Sequence, residues 1–186
     1  MSDTVLTLSG IGIVPFSARG VSETRRPIDQ ARQQRRTVNG ALVDLSTTAF
    51  RKYALSLSGG DLQPMALNGV WQGQAVTVGC ISELGQAVTL TAGVGSVSLD
   101  RKPVTGSGRA IFETGAEIYR LKSSGVVFSQ NTAGDWSAAV NFSNAGLAGM
   151  AFVFYRPELN CMVSGFNSEA DEWAATNSWT MDLEEV

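Results

Sequence analysis

Short segments in which apolar and polar residues alternate recur along the whole chain, and this two-residue period is that of β-strands. Residues 74–81 alternate in this way, and Trp179, Met181 and Leu183 alternate with polar residues within 179–184. A strand of this kind is buried on one face only. Glycine, serine and asparagine separate the segments, as tight turns require. The sequence therefore predicts an all-β fold, a β-sandwich or barrel with at most one or two short helices.

The strongest turn signal is Asn39-Gly40, because both residues tolerate the positive φ of a type I′ turn. It predicts a hairpin that joins 36–38 to 41–43. Short runs between other turn signals predict further strands. They lie at 5–9, 50–57, 87–90, 94–99, 110–112, 118–121, 126–128, 136–142, 151–155 and 159–163.

Two segments depart from the strand pattern. Ser17 to Arg36 holds few large apolar residues and many arginines and glutamines. It is predicted to be a long loop or arm, with a short helix beginning near Pro27, that is either mobile or ordered on a neighbouring subunit. Ser168 to Ala175 is predicted to form one helical turn with Ser168 as N-cap, or a loop packed by Trp173.

The composition fits one domain, or a domain with a large insertion. The 186 residues are 44% hydrophobic, which is enough for a core. Only 17% are charged, so much of the surface is neutral or mildly apolar. Such a surface in a folded protein often contacts a partner. Self-association is therefore the first functional expectation.

Charge is divided unevenly between the two ends of the sequence. Between Arg19 and Lys52 there are eight basic and three acidic residues, whereas every charged residue from Glu158 onward is acidic. The two regions are either solvated faces or complementary surfaces on successive copies of a homo-oligomer. In the second case the subunit interface is predicted to contain Arg25, Arg26, Arg32, Arg35, Arg36, Asp171, Glu172, Glu184 and Glu185. The net charge of −3 argues against a protein that neutralises phosphates over its whole surface.

The residue types needed for common catalytic and metal sites are missing. The chain has no histidine, which excludes Ser-His-Asp and Cys-His arrangements, and two cysteines cannot form a four-sulfur zinc site. The adjacent carboxylates Asp171-Glu172 and Glu184-Glu185 point to opposite faces of an extended strand, so neither pair can act on one bond. We therefore expect no enzyme activity, no cofactor and no metal.

The cysteines, the first residues and the longest apolar run together indicate where the chain is made. Cys80 and Cys161 lie in apolar alternations and are predicted to be buried free thiols. Residues 1–4 lack the features of a secretory signal, and the apolar run 147–155 is shorter than the roughly 20 residues of a membrane span. We expect a protein made in a reducing cytoplasm, with no membrane span.

The four tryptophans allow two interpretations. Trp71, Trp136, Trp173 and Trp179 form either an aromatic sugar-binding platform or part of the core. Core packing is favoured, because most of them occupy inward positions of alternating segments. The arginine cluster lacks the interleaved aromatic residues of a nucleic-acid reader, so a contact with protein is expected there instead.

Several strings at both ends of the chain carry a family resemblance. In order, they are Arg36-Thr37-Val38-Asn39-Gly40, Phe50-Arg51-Lys52-Tyr53, Gly69-Val70-Trp71-Gln72-Gly73-Gln74, Tyr155-Arg156-Pro157-Glu158-Leu159, Asp171-Glu172-Trp173 and Trp179-Thr180-Met181-Asp182-Leu183-Glu184-Glu185. With the opening strand and the arginine-rich arm, this order resembles small tail proteins of long-tailed bacteriophages, of the distal-tail, baseplate or tail-tube type. Residues 85–144 carry no such resemblance and are predicted to be a β-rich insertion or sheet extension.

The resemblance implies a structural role in the virion tail. Residues 1–84 and 145–186 would form a β-sandwich of the tail-tube type, and 17–36 the inter-subunit arm. The partners would be further copies in a ring, commonly a hexamer, and adjacent tail proteins, with DNA only passing through the channel. Assembly would take place in the bacterial host cytoplasm. The alternative is a carbohydrate- or receptor-binding β-module whose site lies within 85–144, and a hydrolase is a more distant one.

Overall fold

The computed structural model describes residues 4–28, 34–45, 47, 51–115, 117–144 and 146–186. In chain order the strands are β1 (Thr7–Leu8), β2 (Ser22–Pro27), β3 (Gln34–Arg36), β4 (Leu42–Asp44), β5 (Tyr53–Asp61), β6 (Ala75–Gly79), β7 (Leu84–Leu90), β8 (Val94–Leu99), β9 (Lys102–Pro103), β10 (Arg109–Glu113), β11 (Ile118–Leu121), β12 (Val126–Gln130), β13 (Trp136–Asn141), β14 (Gly149–Tyr155), β15 (Pro157–Asp171) and β16 (Thr176–Glu185). A 3₁₀ turn lies at Ser123–Gly125, and the described residues contain no α-helix. The predicted all-β fold is confirmed.

The chain forms two compact units. Unit 1 combines Met1–Val78 with Asn160–Val186, and unit 2 is Gly79–Leu159. The segment 85–144, predicted from the sequence to be an insertion, lies inside unit 2.

Unit 1 is built on one sheet with the strand order β1-β6-β15-β16-β5-β2. Trp179, Met181 and Leu183 of β16 are buried, whereas Asp182 and Glu184 between and after them are exposed. The predicted half-buried closing strand is therefore confirmed. One face of the sheet belongs to the core, and the other is open and polar.

Segments before and between the strands cover the apolar face of this sheet. Their buried side chains are Leu6, Ile11, Ala18, Met65 and Val70. Two of these segments pair with each other, since Ala66 donates a backbone hydrogen bond to Gly12. The core of unit 1 therefore lies between the sheet and these segments.

Strand β2 corrects one sequence prediction. Ser22–Pro27 is not a loop: it pairs with β5 of the same chain, and Pro27 ends the strand instead of beginning a helix. A strand at a sheet edge needs ladder partners on one side only, so it tolerates proline and needs few large apolar side chains. The Arg25 guanidinium lies 5.4 Å from the centre of the Tyr53 ring, within the range of a cation–π contact between β2 and β5. Pattern alone misses such a strand.

The predicted hairpin at Asn39-Gly40 is confirmed, but its predicted type I′ turn is wrong. Strands β3 and β4 pair with Arg36 opposite Leu42. Gly40 has a φ of 80°, and its N–H donates to the Thr37 carbonyl at 2.9 Å. Asn39 does not share the positive φ that a type I′ turn requires at both central positions. The connection is consequently longer than two residues.

Both alternatives predicted for 168–175, a helical turn and a loop packed by Trp173, are wrong. Ser168 lies within β15, which forms a long antiparallel hairpin with β16. The connection contains Trp173, which is exposed, and Ala175, whose φ is 50°. Pairing with a neighbouring strand satisfies the backbone here, so a helix has no advantage.

Unit 2 contains two antiparallel sheets, with the orders β11-β10-β14-β7 and β12-β13-β8. Both sheets supply side chains to one core. These are Val88, Leu90, Leu99, Ala110, Phe112, Val126, Ala138, Val140, Ala151, Val153 and Tyr155, together with Phe142 and Leu147 from the loops. Unit 2 is thus a two-sheet β-structure with a hydrophobic core of its own.

Candidate assembly surfaces

The open face of the unit 1 sheet carries polar and charged side chains. A shallow groove of about 480 Å³ lies on it. Its lining side chains include Thr24, Arg26, Ser56, Ser164, Asp182 and Glu184. Asp182 and Glu184 are two positions apart on β16 and point to the same face, so about 7 Å of strand separates them. Sequence reasoning compared only adjacent carboxylates and missed this pair, although the spacing was the available signal.

Four of the predicted interface residues lie at one corner of this sheet, within one chain. Arg26 and Glu184 are both opposite Ala54 in the strand register, so they share a row on the open face. Glu185 accepts a hydrogen bond from the Tyr53 backbone N–H at 2.9 Å, and Arg25 lies over the Tyr53 ring. Arg25 and Glu185 therefore already contact groups of their own subunit.

Arg35 and Arg36 lie on the β3–β4 hairpin, residues 34–45. Every residue of both strands is exposed. Val38 at the turn, Leu42 and Val43 on the second strand and Leu45 just after it are exposed apolar side chains of the same hairpin. Arg32, predicted to belong to this interface, lies outside the described residues.

Asp171 and Glu172 lie at the end of the β15–β16 hairpin. The Asp171 carboxylate accepts hydrogen bonds from the backbone N–H groups of Trp173 and Ala174 at 2.9 and 3.0 Å. Asp171 therefore fixes the turn, as a carboxylate often does two residues ahead of its donor. Glu172 is exposed. The structure thus separates the eight described residues of the predicted interface into a sheet corner and two exposed hairpins.

Core packing, the favoured prediction for the four tryptophans, holds for two of them. Trp179 is buried and Trp136 packs at the edge of the unit 2 core. Trp71 is 74% exposed and Trp173 is 98% exposed, so the prediction is wrong for these two. Each lies in a turn, where the alternation that marks inward positions does not apply.

Both cysteines are buried free thiols, as predicted. Burial, followed by the nearby charge of Glu185, raises the pKa of the Cys161 thiol to about 12. A thiol with so high a pKa is a poor nucleophile at neutral pH. Cys161 is therefore a packing residue of β15.

Unit 2 has a bidentate ion pair and an open groove. Arg109 Nε donates to both carboxylate oxygens of Glu83 at 2.9 and 3.0 Å, and this hydrogen bonding raises the pKa of Arg109. The groove, of about 700 Å³, lies on the outer face of β8, β12 and β13. Val94, Val127 and Ala139 line it, and no aromatic side chain does. An aromatic platform for sugar is therefore not found in this groove.

In the part of the chain that the structure describes, no three Cys, Asp or Glu side chains come together as a metal site requires. No helix among those residues is long and apolar enough to cross a membrane. Comparison of the chain with protein-family models, curated sequences and solved structures finds no significant match.

Proposed function

We propose that this chain is a structural subunit that joins further copies of itself into a ring of a bacteriophage tail, at the distal tail and baseplate or in the tube. The β3–β4 hairpin carries the proposal. It exposes Val38, Leu42 and Val43 beside two arginines, and none of its strand residues is buried. An isolated two-stranded hairpin is marginally stable in water, so a partner that buries these side chains stabilises it.

Strand β2 supports the same proposal. It ends the unit 1 sheet, and within the described residues it pairs with β5 alone. An edge strand presents backbone donors and acceptors that a strand of another subunit can extend. Arg25, Arg26 and Pro27 limit indiscriminate pairing at this edge, so a specific partner is favoured over aggregation.

The tail assignment itself comes from the order of strings at the two ends of the chain, which resembles distal-tail, baseplate and tail-tube subunits. In such a ring the copies surround a channel through which DNA passes, and the neighbours are other tail proteins. The location that follows is the virion tail. A binding role for unit 2 is the second candidate, and the apolar groove on β8, β12 and β13 favours it.

Charge reversal on the hairpin tests the proposal. The double variant Arg35→Glu, Arg36→Glu changes two exposed side chains and is expected to leave a folded monomer that assembles less. The matched control is Arg120→Glu, Lys122→Glu, which makes the same charge change on exposed residues of unit 2. Sedimentation velocity measures the oligomer distribution of both variants. Normal oligomers from the hairpin variant would contradict the proposal.

A further inference from the structure

The connection between β15 and β16 presents a tryptophan to solvent on an ordered turn. Trp173 is 98% exposed. Its turn is fixed by the Asp171 carboxylate, which accepts the N–H groups of Trp173 and Ala174. Tryptophan is enriched among the residues that dominate interface energetics, and a fixed turn lowers the ordering cost of binding. We call residues 169–175 the tryptophan tip.

The tryptophan tip is acidic. Glu169, Asp171 and Glu172 precede Trp173 within four residues of the chain, and residues 167–177 contain no lysine or arginine. Anionic lipid and nucleic acid would be repelled by this charge. The complementary occupant is a protein surface that combines apolar side chains with cations.

The β3–β4 hairpin of this chain has those properties. Arg36 and Leu42 are opposite each other in the strand pair and share a face, and Arg35 and Val43 share the other. Leu42 is 58% exposed, and Val38 at the turn is fully exposed. Each face therefore has an apolar side chain beside a guanidinium. A guanidinium can also stack on an indole ring such as that of Trp173.

We propose that the tryptophan tip of one copy docks on the β3–β4 hairpin of the next copy, with Trp173 against Val38 and Leu42 and with Glu172 facing the arginines. The inference rests on the proposed function, because the occupant is a second copy of this chain. Tip and hairpin are different surfaces, so each copy can contact one neighbour through its tip and another through its hairpin. Reciprocal docking closes a dimer, whereas one-way docking is heterologous and repeats from copy to copy until rotation closes a ring.

Disulfide cross-linking between two copies tests the contact. Ala41→Cys places a thiol on the hairpin and Ala174→Cys places one on the tip, while Val38 and Trp173 remain. The native cysteines are buried and do not compete. Equal amounts of the two variants, one carrying a mass tag, are mixed and oxidised. Hairpin-to-tip heterodimers are expected to exceed the homodimers that each variant forms alone.

Adding Trp173→Ala to the Ala174→Cys copy is expected to lower the heterodimer yield about tenfold, as loss of an interface tryptophan commonly does. The control Trp71→Ala removes another exposed tryptophan of unit 1 and is expected to leave the yield unchanged. The docking would be overturned if Trp173→Ala left the heterodimer yield unchanged, or if heterodimers were no more abundant than homodimers.

Sedimentation velocity of the wild-type chain separates this result from the proposed function. Oligomers without tip-dependent cross-linking would reject the docking and leave ring formation standing. Tip-dependent cross-linking with wild-type chains that stop at dimers would uphold the docking and reject the ring.

Discussion

The indole Nε1 of Trp179 donates a hydrogen bond to the backbone carbonyl of Ser17 at 2.9 Å, and both residues are buried. The two positions are 162 residues apart, so the bond fastens the N-terminal covering segment to the last strand. In unit 1, the first and the last parts of the chain are therefore held together.

Trp179→Phe keeps an aromatic ring in the core but removes the donor. The Ser17 carbonyl then remains buried without this partner, which costs about 1–3 kcal/mol of unfolding free energy. Urea denaturation followed by circular dichroism measures the loss. The control Trp173→Phe, on an exposed ring, is expected to change stability by less than about 0.5 kcal/mol. Equal effects of the two substitutions would contradict the role given to the bond.

Gly59 leaves room for the same indole. A β-carbon at this position would lie 2.9 Å from Cζ2 of Trp179, a side chain that the core holds in place. Gly59→Ala is therefore expected to destabilise the protein by about 1–3 kcal/mol through overpacking. Gly165→Ala is the matched control in the same sheet, because nothing lies within 4 Å of its β-carbon position. Thermal unfolding of both variants measures the difference in stability. A Gly59→Ala variant as stable as Gly165→Ala would contradict the overpacking.

The Cys161 thiol makes stability depend on alkaline pH. Its pKa rises from 9.0 to about 12 on folding, so between these values the unfolded chain loses this proton and the folded chain keeps it. Stability is therefore fully present below pH 9 and falls as pH rises, by about 1 kcal/mol per pH unit for this group. Denaturation at about pH 8 and about pH 10 is compared for wild type and Cys161→Ala. The wild type should lose more unfolding free energy between these two pH values than Cys161→Ala does. Equal losses would contradict a raised pKa of the Cys161 thiol.

Unit 1 is expected to fold without unit 2. Thr77 on β6 donates through its hydroxyl to the Asn160 side-chain oxygen on β15 at 3.1 Å, so the ends left by removing 79–159 are close together. Joining Val78 to Asn160 through an Asn-Gly turn makes a hairpin of the adjacent antiparallel strands β6 and β15. Sedimentation and circular dichroism should find a folded protein that still self-associates. A folded but strictly monomeric product would instead assign the assembly contact to unit 2.

The fold class was predictable because the signals that define it are local. Alternation marks β16, and Gly40 marks the hairpin between β3 and β4. Strand β2 was missed because its stability comes from pairing with the neighbouring β5 and from the Arg25 guanidinium over the Tyr53 ring. Its own sequence, rich in arginine, resembles a loop.

The candidate surfaces were only partly predictable. The uneven charge distribution indicated where charged side chains concentrate, but the sequence could not show that Glu185 already accepts a hydrogen bond from the Tyr53 backbone N–H. The exposure of Trp173 could not be predicted from the sequence either. It follows from the length of the β15–β16 hairpin and not from the identity of the residue. Which charges remain for a partner depends on tertiary pairing.

Self-assembly of the chain is the claim on which the functional proposal depends. Negative-stain electron microscopy of the purified wild-type protein, over a range of concentrations, tests it most directly. Closed rings, or short stacks of them, are the predicted result. Uniform single particles the size of one chain at every concentration would contradict it.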